Sequence, residues 1–233
     1  MRVIVALGER VRALLAPVCA VCGVNAGDPV CSDCIADYFS PAAPRCASCA
    51  LRLPSQIESE VCGRCQRDAP SFDATIALAD YAPPVDGMVV ALKFGHRLEL
   101  ARVLGRLLAA RIAASWTTQS VLVPVPLAFE RQAERGFNQA GEIARAAARA
   151  LGVALDSANL ARVRHNAPQE ALKLEARRRN VRNAFAVRGN WRDRHAIVID
   201  DVMTSGATLG EVARVLKAAG AARVTNAIVA RTP

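Results

Sequence analysis

Residues 196–208, AIVIDDVMTSGAT, constrain the fold of this chain more than any other stretch. Ala196-Ile197-Val198-Ile199 is apolar with no polar alternation, the pattern of a parallel strand buried on both faces. Asp200 and Asp201 follow, at the point where that strand is expected to end. Thr204, Ser205, Gly206, Ala207 and Thr208 make a turn of small and hydroxyl residues. Leu209 to Ala219 then repeats apolar residues at helical spacing, with Gly220 as a stop. A loop of this kind suits a phosphate, because backbone N–H groups and hydroxyls converge at the N-terminus of a helix. The carboxylates beside it can accept hydrogen bonds from sugar hydroxyls, directly or through a cation. The implied ligand is a phosphorylated sugar at the carboxyl end of a parallel strand, where open α/β sheets bind ligands. The same residues also describe an ordinary β–turn–α junction with an acid pair capping its helix.

All eight cysteines fall before residue 66, as the pairs Cys19/Cys22, Cys31/Cys34, Cys46/Cys49 and Cys62/Cys65. Two residues between cysteines let both thiolates reach one tetrahedral ion, so the expected ligand is structural Zn²⁺ at one or two Cys₄ sites. Sequential pairing and a cross-braced pairing both fit the spacing. Gly23 and Gly63 each follow a cysteine and fit the turns such sites need. A segment this short buries little core, so metal would supply much of its folding energy.

The chain has 233 residues and is 52% hydrophobic, enough for one α/β domain plus a small module. Aromatics make up only 4%, so an aliphatic, Ala-rich core is expected. The net charge of +9 favours polyanionic partners. Residues 162–194 hold ten Arg or Lys against three acids, so seven of the nine excess charges sit in that window. No apolar run reaches the length of a membrane span, and the opening MRVIVALGERVRALLAP is broken by Glu9, Arg10 and Arg12. An amphipathic lead-in helix ending at Pro17 and a cytoplasmic location are expected.

Past Pro70-Ser71-Phe72-Asp73, strands are expected over 73–82, 120–126, 155–163, 183–187, 194–199 and 223–230. Helices are expected over 85–94, 98–114, 136–151 and 208–219, and a loop with a helical turn over 164–180. The expected fold class is α/β with a mostly parallel sheet, preceded by a small Cys-rich zinc-ribbon module. The boundary falls between 1–70 and 71–233.

Residues 196–208 resemble the 5-phosphoribosyl-1-pyrophosphate (PRPP) signature of type I phosphoribosyltransferases. That resemblance implies ribose hydroxyls on Asp200 and Asp201, and the 5′-phosphate on Thr204, Ser205, Gly206, Ala207 and Thr208. Further segments occur in the order seen in the ComF family: Leu92-Lys93-Phe94-Gly95, Val123-Pro124-Val125-Pro126, Arg135-Gly136-Phe137-Asn138-Gln139, Arg162 to Gln169, and Arg179-Asn180 with Phe185. The whole chain is similar to that family (GntX-like, amidophosphoribosyltransferase-related), which joins a double zinc ribbon to a phosphoribosyltransferase domain and is associated with DNA uptake in natural competence. The resemblance implies a pyrophosphate-facing loop at Val125 and Pro126. Arg131 and Arg135 are either cations placed to reach a diphosphate or solvated charges at a helix end. The resemblance also implies a closing, catalytic loop carrying Arg162, Arg164, His165 and Gln169, with Mg²⁺ accompanying PRPP. Asn166 stands where the family usually has Thr. Lys93 either pairs with phosphate or snorkels from its helix, and Asn138 and Gln139 either bond ligand or cap a helix. His96 and His195 have no expected role.

Two functions fit these features. One is phosphoribosyl transfer from PRPP to an unspecified acceptor, a glycosyltransferase reaction. The other is non-catalytic: a PRPP-sensing protein that holds single-stranded DNA alongside competence helicase or other DNA-processing partners. An oligomer is compatible with either.

Overall fold

The computed structural model describes residues 18–40, 43–56, 59–164 and 181–233. The expected lead-in helix lies outside the described residues. So does nearly all of the 164–180 loop, including His165, Asn166, Gln169 and Arg177–Arg179.

Four strands form one parallel sheet in the order β1 (Ala74–Asp80), β6 (Arg223–Arg231), β5 (His195–Met203), β2 (Ser120–Pro124). The central strand β5 is buried on both faces, as its unbroken apolar run requires. Ile197 and Ile199 join one hydrophobic cluster, beneath α4 (Leu98–Ile112) and α6 (Gln139–Leu151). Ala196 and Val198 join the other, beneath α7 (Ala207–Ala218). Helix α3 (Val85–Phe94) packs beside α4. Strands β3 (Leu160–Arg162) and β4 (Phe185–Val187) pair antiparallel with each other, apart from the main sheet.

Two expectations need correction. The segment 136–151 is not one helix with a leading glycine. A separate helix α5 (Phe129–Arg135) precedes it and ends at Gly136 in the left-handed region, φ +74°. FERQAER buries no residue, so it has no apolar period to read. The strand carrying the acid pair does not stop at Ile199. It continues to Met203 because β6 keeps pairing with it as far as Arg231.

His195 is a core residue. Its Nδ1 lies 3.1 Å from Ser120 Oγ and its Nε2 lies 2.8 Å from Thr225 Oγ1, tying β5 to both neighbours. Burial lowers its pKa, so it sits neutral in this network.

The cysteines form two sequential sets, Cys19/Cys22/Cys31/Cys34 and Cys46/Cys49/Cys62/Cys65. Within each set all ligand atoms lie within 4.8 Å of one another. The Cys22–Cys31 sulfurs are 3.8 Å apart and the Cys49–Cys62 sulfurs 3.7 Å. A tetrahedral Zn–S bond of ~2.3 Å sets an S···S edge of ~3.8 Å, far beyond a disulfide. The donors therefore fit zinc. Backbone N–H groups of Cys31, Cys34, Cys49 and Cys62 point at sulfurs from 3.3 to 3.5 Å, which helps disperse thiolate charge. Gly23 takes φ +76° as its turn requires, but Gly63 opens the helix α2 (Gly63–Arg67). In the second ribbon the left-handed position belongs to Ala50, φ +57°.

The ribbons are not appendages. Cys19, Val30, Cys34 of helix α1 (Ser32–Phe39) and Phe39 belong to the α4/α6 cluster. Cys46, Cys49, Cys62 and Cys65 belong to the α7 cluster. The second ribbon also binds β1 directly: Thr75 N–H donates to Ala47 O at 3.1 Å, and Arg45 pairs with Asp80 at 2.7 Å.

Two outcomes follow. Elemental analysis should find two zinc ions per chain, and chelation should lower the melting temperature of the whole chain in one transition; a zinc-free protein with four disulfides would refute the assignment. At the α4–α6 crossing, a Cβ on Gly105 would meet Ala146 Cβ at 2.5 Å and Ile143 O at 2.6 Å. Gly105→Ala should therefore cost roughly 1–3 kcal/mol in denaturant unfolding.

Candidate functional site

Strand β2 ends at Pro124, opposite Ile199. Val125 N–H still donates to Ile199 O at 2.9 Å, and there pairing on this side stops. Among the described residues, Asp200 to Met203 pair along the sheet with β6 alone, and the side vacated by β2 is open. A cleft of about 360 Å³ occupies that opening. Asp200, Asp201, Thr204 and Thr208 line one side, Val125 and Pro126 another, and Arg131, Arg135, Asn138 and Gln139 a third. Lys93 and Arg162 complete it.

The acid pair is set up by burial. Asp201 is 8% exposed, and its Oδ2 lies 3.0 Å from Lys93 Nζ. Lys93 thus pairs with a carboxylate. Asp200 Oδ1 accepts from Asp201 N–H at 2.9 Å. Burial, and then the charge of Asp201, push the Asp200 carboxyl up to about 7, against the pull of that N–H and of Lys93.

The loop after β5 is shaped by Gly206, which holds φ +78° as the residue before α7. Any Cβ there would lie 2.6 Å from Met203 Cε. No side chain caps α7 at Gly206, so among the described residues its opening N–H groups are open to a ligand, apart from Ala207 N–H on Ser205 Oγ at 3.3 Å. The loop has two sides. Thr204 and Thr208 line the cleft with the acids, while Ser205, Gly206 and Ala207 line a second cleft toward the second ribbon.

Facing the acids is a set of incompletely bonded polar groups. Asn138 precedes α6 but does not cap it; its Nδ2 donates to Val125 O at 3.0 Å, locking α6 to the end of β2. Gln139 is 1% exposed, and its Oε1 accepts from Arg135 Nη1 at 3.2 Å. Arg135 stacks over Phe94, 4.9 Å from the ring centre. Arg135 Nε, Gln139 Nε2 and Asn138 Oδ1 are buried without a partner among the described residues. Buried donors left unpaired are costly, which points to a ligand that satisfies them. Arg162 stacks on Phe185 at 5.5 Å, and burial with Arg131 nearby lowers its pKa. Arg164 is exposed and outside the cleft lining, though its carbonyl accepts from Arg162 Nε at 3.4 Å.

Tyr81 and Thr232 also line the cleft and were not foreseen. Each follows the end of a sheet strand, β1 and β6, so the parallel alignment of strand ends was the available signal.

Residues 99–233 match the phosphoribosyl transferase domain family, and residues 10–66 match the double zinc ribbon domain. The chain is 36% identical to the DNA utilization protein YhgH of Salmonella typhimurium over 192 residues, 80% of this chain and 84% of the relative. It is 30% identical to Competence protein F of Haemophilus influenzae, over 76% of this chain and 80% of that protein. A shorter match, 37% identical over 44% of this chain and 40% of the relative, is to Competence protein ComFC of Bacillus subtilis. With its Cys₄ ribbons, its parallel sheet and these relatives, the chain belongs to the ComF family, which couples a double zinc ribbon to a phosphoribosyl transferase domain.

Proposed function

We propose that the cleft binds PRPP and that the protein serves DNA uptake or use, as the names of its relatives indicate for them. The observation that carries the reading is the opposition across one cleft of a buried and a half-buried carboxylate and a set of donors without a partner among the described residues. Beside the acids lies the N-terminus of α7, which no side chain caps at Gly206. Asp200 and Asp201 accept from the ribose hydroxyls. Thr204, Thr208 and the opening N–H groups of α7 take the 5′-phosphate. Arg135 Nε and Gln139 Nε2, with Arg131 and Arg162, face the diphosphate beside Val125 and Pro126. Asn138 holds that wall in place. Mg²⁺ entering with the diphosphate would neutralise part of its charge. In transfer, an acceptor nucleophile would form a bond to C1 as the C1–O bond to pyrophosphate breaks, the pyrophosphate leaving with the bonding electrons while the arginines stabilise its developing charge.

A second reading, single-stranded DNA binding, is favoured by the cleft rim. Phe94 is 63% exposed and Phe129 is 74% exposed, in a chain with few aromatics. Phe94 stacks under Arg135, and Phe129 opens the helix carrying Arg131 and Arg135. Exposed rings beside arginines suit base stacking and backbone neutralisation.

Three measurements test these readings. In calorimetry, Asp200→Asn with Asp201→Asn should weaken Mg²⁺-dependent PRPP binding by at least tenfold without lowering zinc content; equal affinity would remove the site assignment. The raised Asp200 pKa has a sign that can be checked. The folded state holds this proton more tightly than the unfolded chain, whose carboxyl titrates near 3.8. The stabilising contribution is full below about 4 and lost as pH rises through about 7. Asp200→Asn should therefore raise the melting temperature of the ligand-free protein at pH 8, with little gain at pH 4. A gain that grows as pH falls would contradict the burial argument. For DNA, oligonucleotide affinity should drop steeply with salt, and Phe129→Ala should lower it about tenfold; salt-independent binding or none would eliminate that reading.

A further inference from the structure

We propose that the second zinc ribbon forms part of the support of the phosphate loop, with Arg64 and Arg231 as positioning residues that couple the Cys46/Cys49/Cys62/Cys65 cluster to the cleft. The inference deepens the PRPP reading and rests on it for its ligand arm only.

Arg64 lies between the ligands Cys62 and Cys65 on α2, and its Nη2 donates to Ser205 O at 2.9 Å. Arg231 ends β6 and is only 4% exposed. Its Nε donates to Cys49 O at 2.9 Å, and its Nη1 donates to Met203 O at 3.1 Å and to Thr232. One buried guanidinium therefore joins the ribbon to the residue that begins the loop.

The two arginines hold the carbonyls of residues 203 and 205 from the ribbon side. A trans peptide places its N–H opposite its C=O, so each captured carbonyl turns the next N–H, Thr204 or Gly206, away from the ribbon. That is the direction phosphate-binding donors require. The second cleft, about 360 Å³, separates ribbon from loop and leaves room for the loop to relax backward if the arginines let go.

Charge gives the coupling its dependence on metal. Among the described residues no carboxylate pairs with Arg231. Four thiolates around Zn²⁺ carry a net charge of −2, and Arg231 sits on the carbonyl of one of those ligands. The first cluster makes no hydrogen bond to residues 203–208 among the described residues, so the coupling belongs to the second cluster alone.

The test compares Arg64→Ala, Arg64→Lys and Arg67→Ala in the full chain. Arg67 is an exposed cation on the same helix with no bond to the loop, so it controls for charge. The readouts are zinc content, amide hydrogen exchange over 203–208 without ligand, and PRPP affinity. Arg64→Ala should keep two zinc ions, exchange the loop amides about tenfold faster and bind PRPP about tenfold more weakly. Arg64→Lys should recover part of both effects, and Arg67→Ala should match the wild type. Unchanged exchange in Arg64→Ala, an equal effect from Arg67→Ala, or loss of zinc from Arg64→Ala would each overturn the proposal. If the unaltered protein binds no PRPP, the functional reading fails while exchange still decides the coupling.

Discussion

Strand β5 outruns β2, and the cleft exists because it does. Pro124 cannot donate to a ladder, and β2 ends there opposite Ile199. On the other side β6 continues to pair through Met203. The acids therefore stand on rigid, half-paired strand rather than on a loop. That placement keeps Asp200 and Asp201 in register; it buries Asp201 and half-buries Asp200. Burial raises the Asp200 pKa and calls Lys93 to Asp201. The rest of the fold holds this strand in place: β5 is buried on both faces, and His195 ties its far end to Ser120 and Thr225.

The wall opposite follows the same logic. Asn138 might have capped α6 but instead binds Val125 O, trading a helix cap for a fixed distance between α6 and β2. Among the described residues, Arg135 Nε and Gln139 Nε2 are left unpaired in the interior. Sites that violate local rules in this way are where stability gives way to function. The ribbons contribute through metal and through packing, since one joins each hydrophobic cluster beside the sheet. The chain folds around zinc as much as it carries zinc.

Much of this was legible in the residues. The Cys-x-x-Cys pairs announced metal, and AIVI announced a strand buried on both faces. The acid pair, Thr204, Thr208, Val125, Pro126, Arg135 and Arg162 line one cleft, while Ser205, Gly206 and Ala207 line another. Other features were not legible because their signals are not periodic. Helix α5 buries nothing, so FERQAER carries no stripe. Strand β5 runs on through two charges because its partner does, and pairing length is a property of two segments. Gly63 looked like a turn glycine, while the left-handed turn fell to Ala50. Arg231 carries no local signal of burial, yet it is buried between ribbon and loop.

By itself the sequence determined the zinc-binding cysteines, the class of fold and the strand–acid pair–turn–helix order of residues 196–219. Each depends on residue type at short spacing: two thiols three apart, four apolar residues in a row, a glycine beside hydroxyls. Only the tertiary structure decided which cysteine pairs cluster together, which residues of the loop share a cleft with the acids, and which cations end in that cleft. Those are relations between residues far apart in the chain, such as Arg64 with Ser205 or Asn138 with Val125, and they arise from how sheet, helices and ribbons pack.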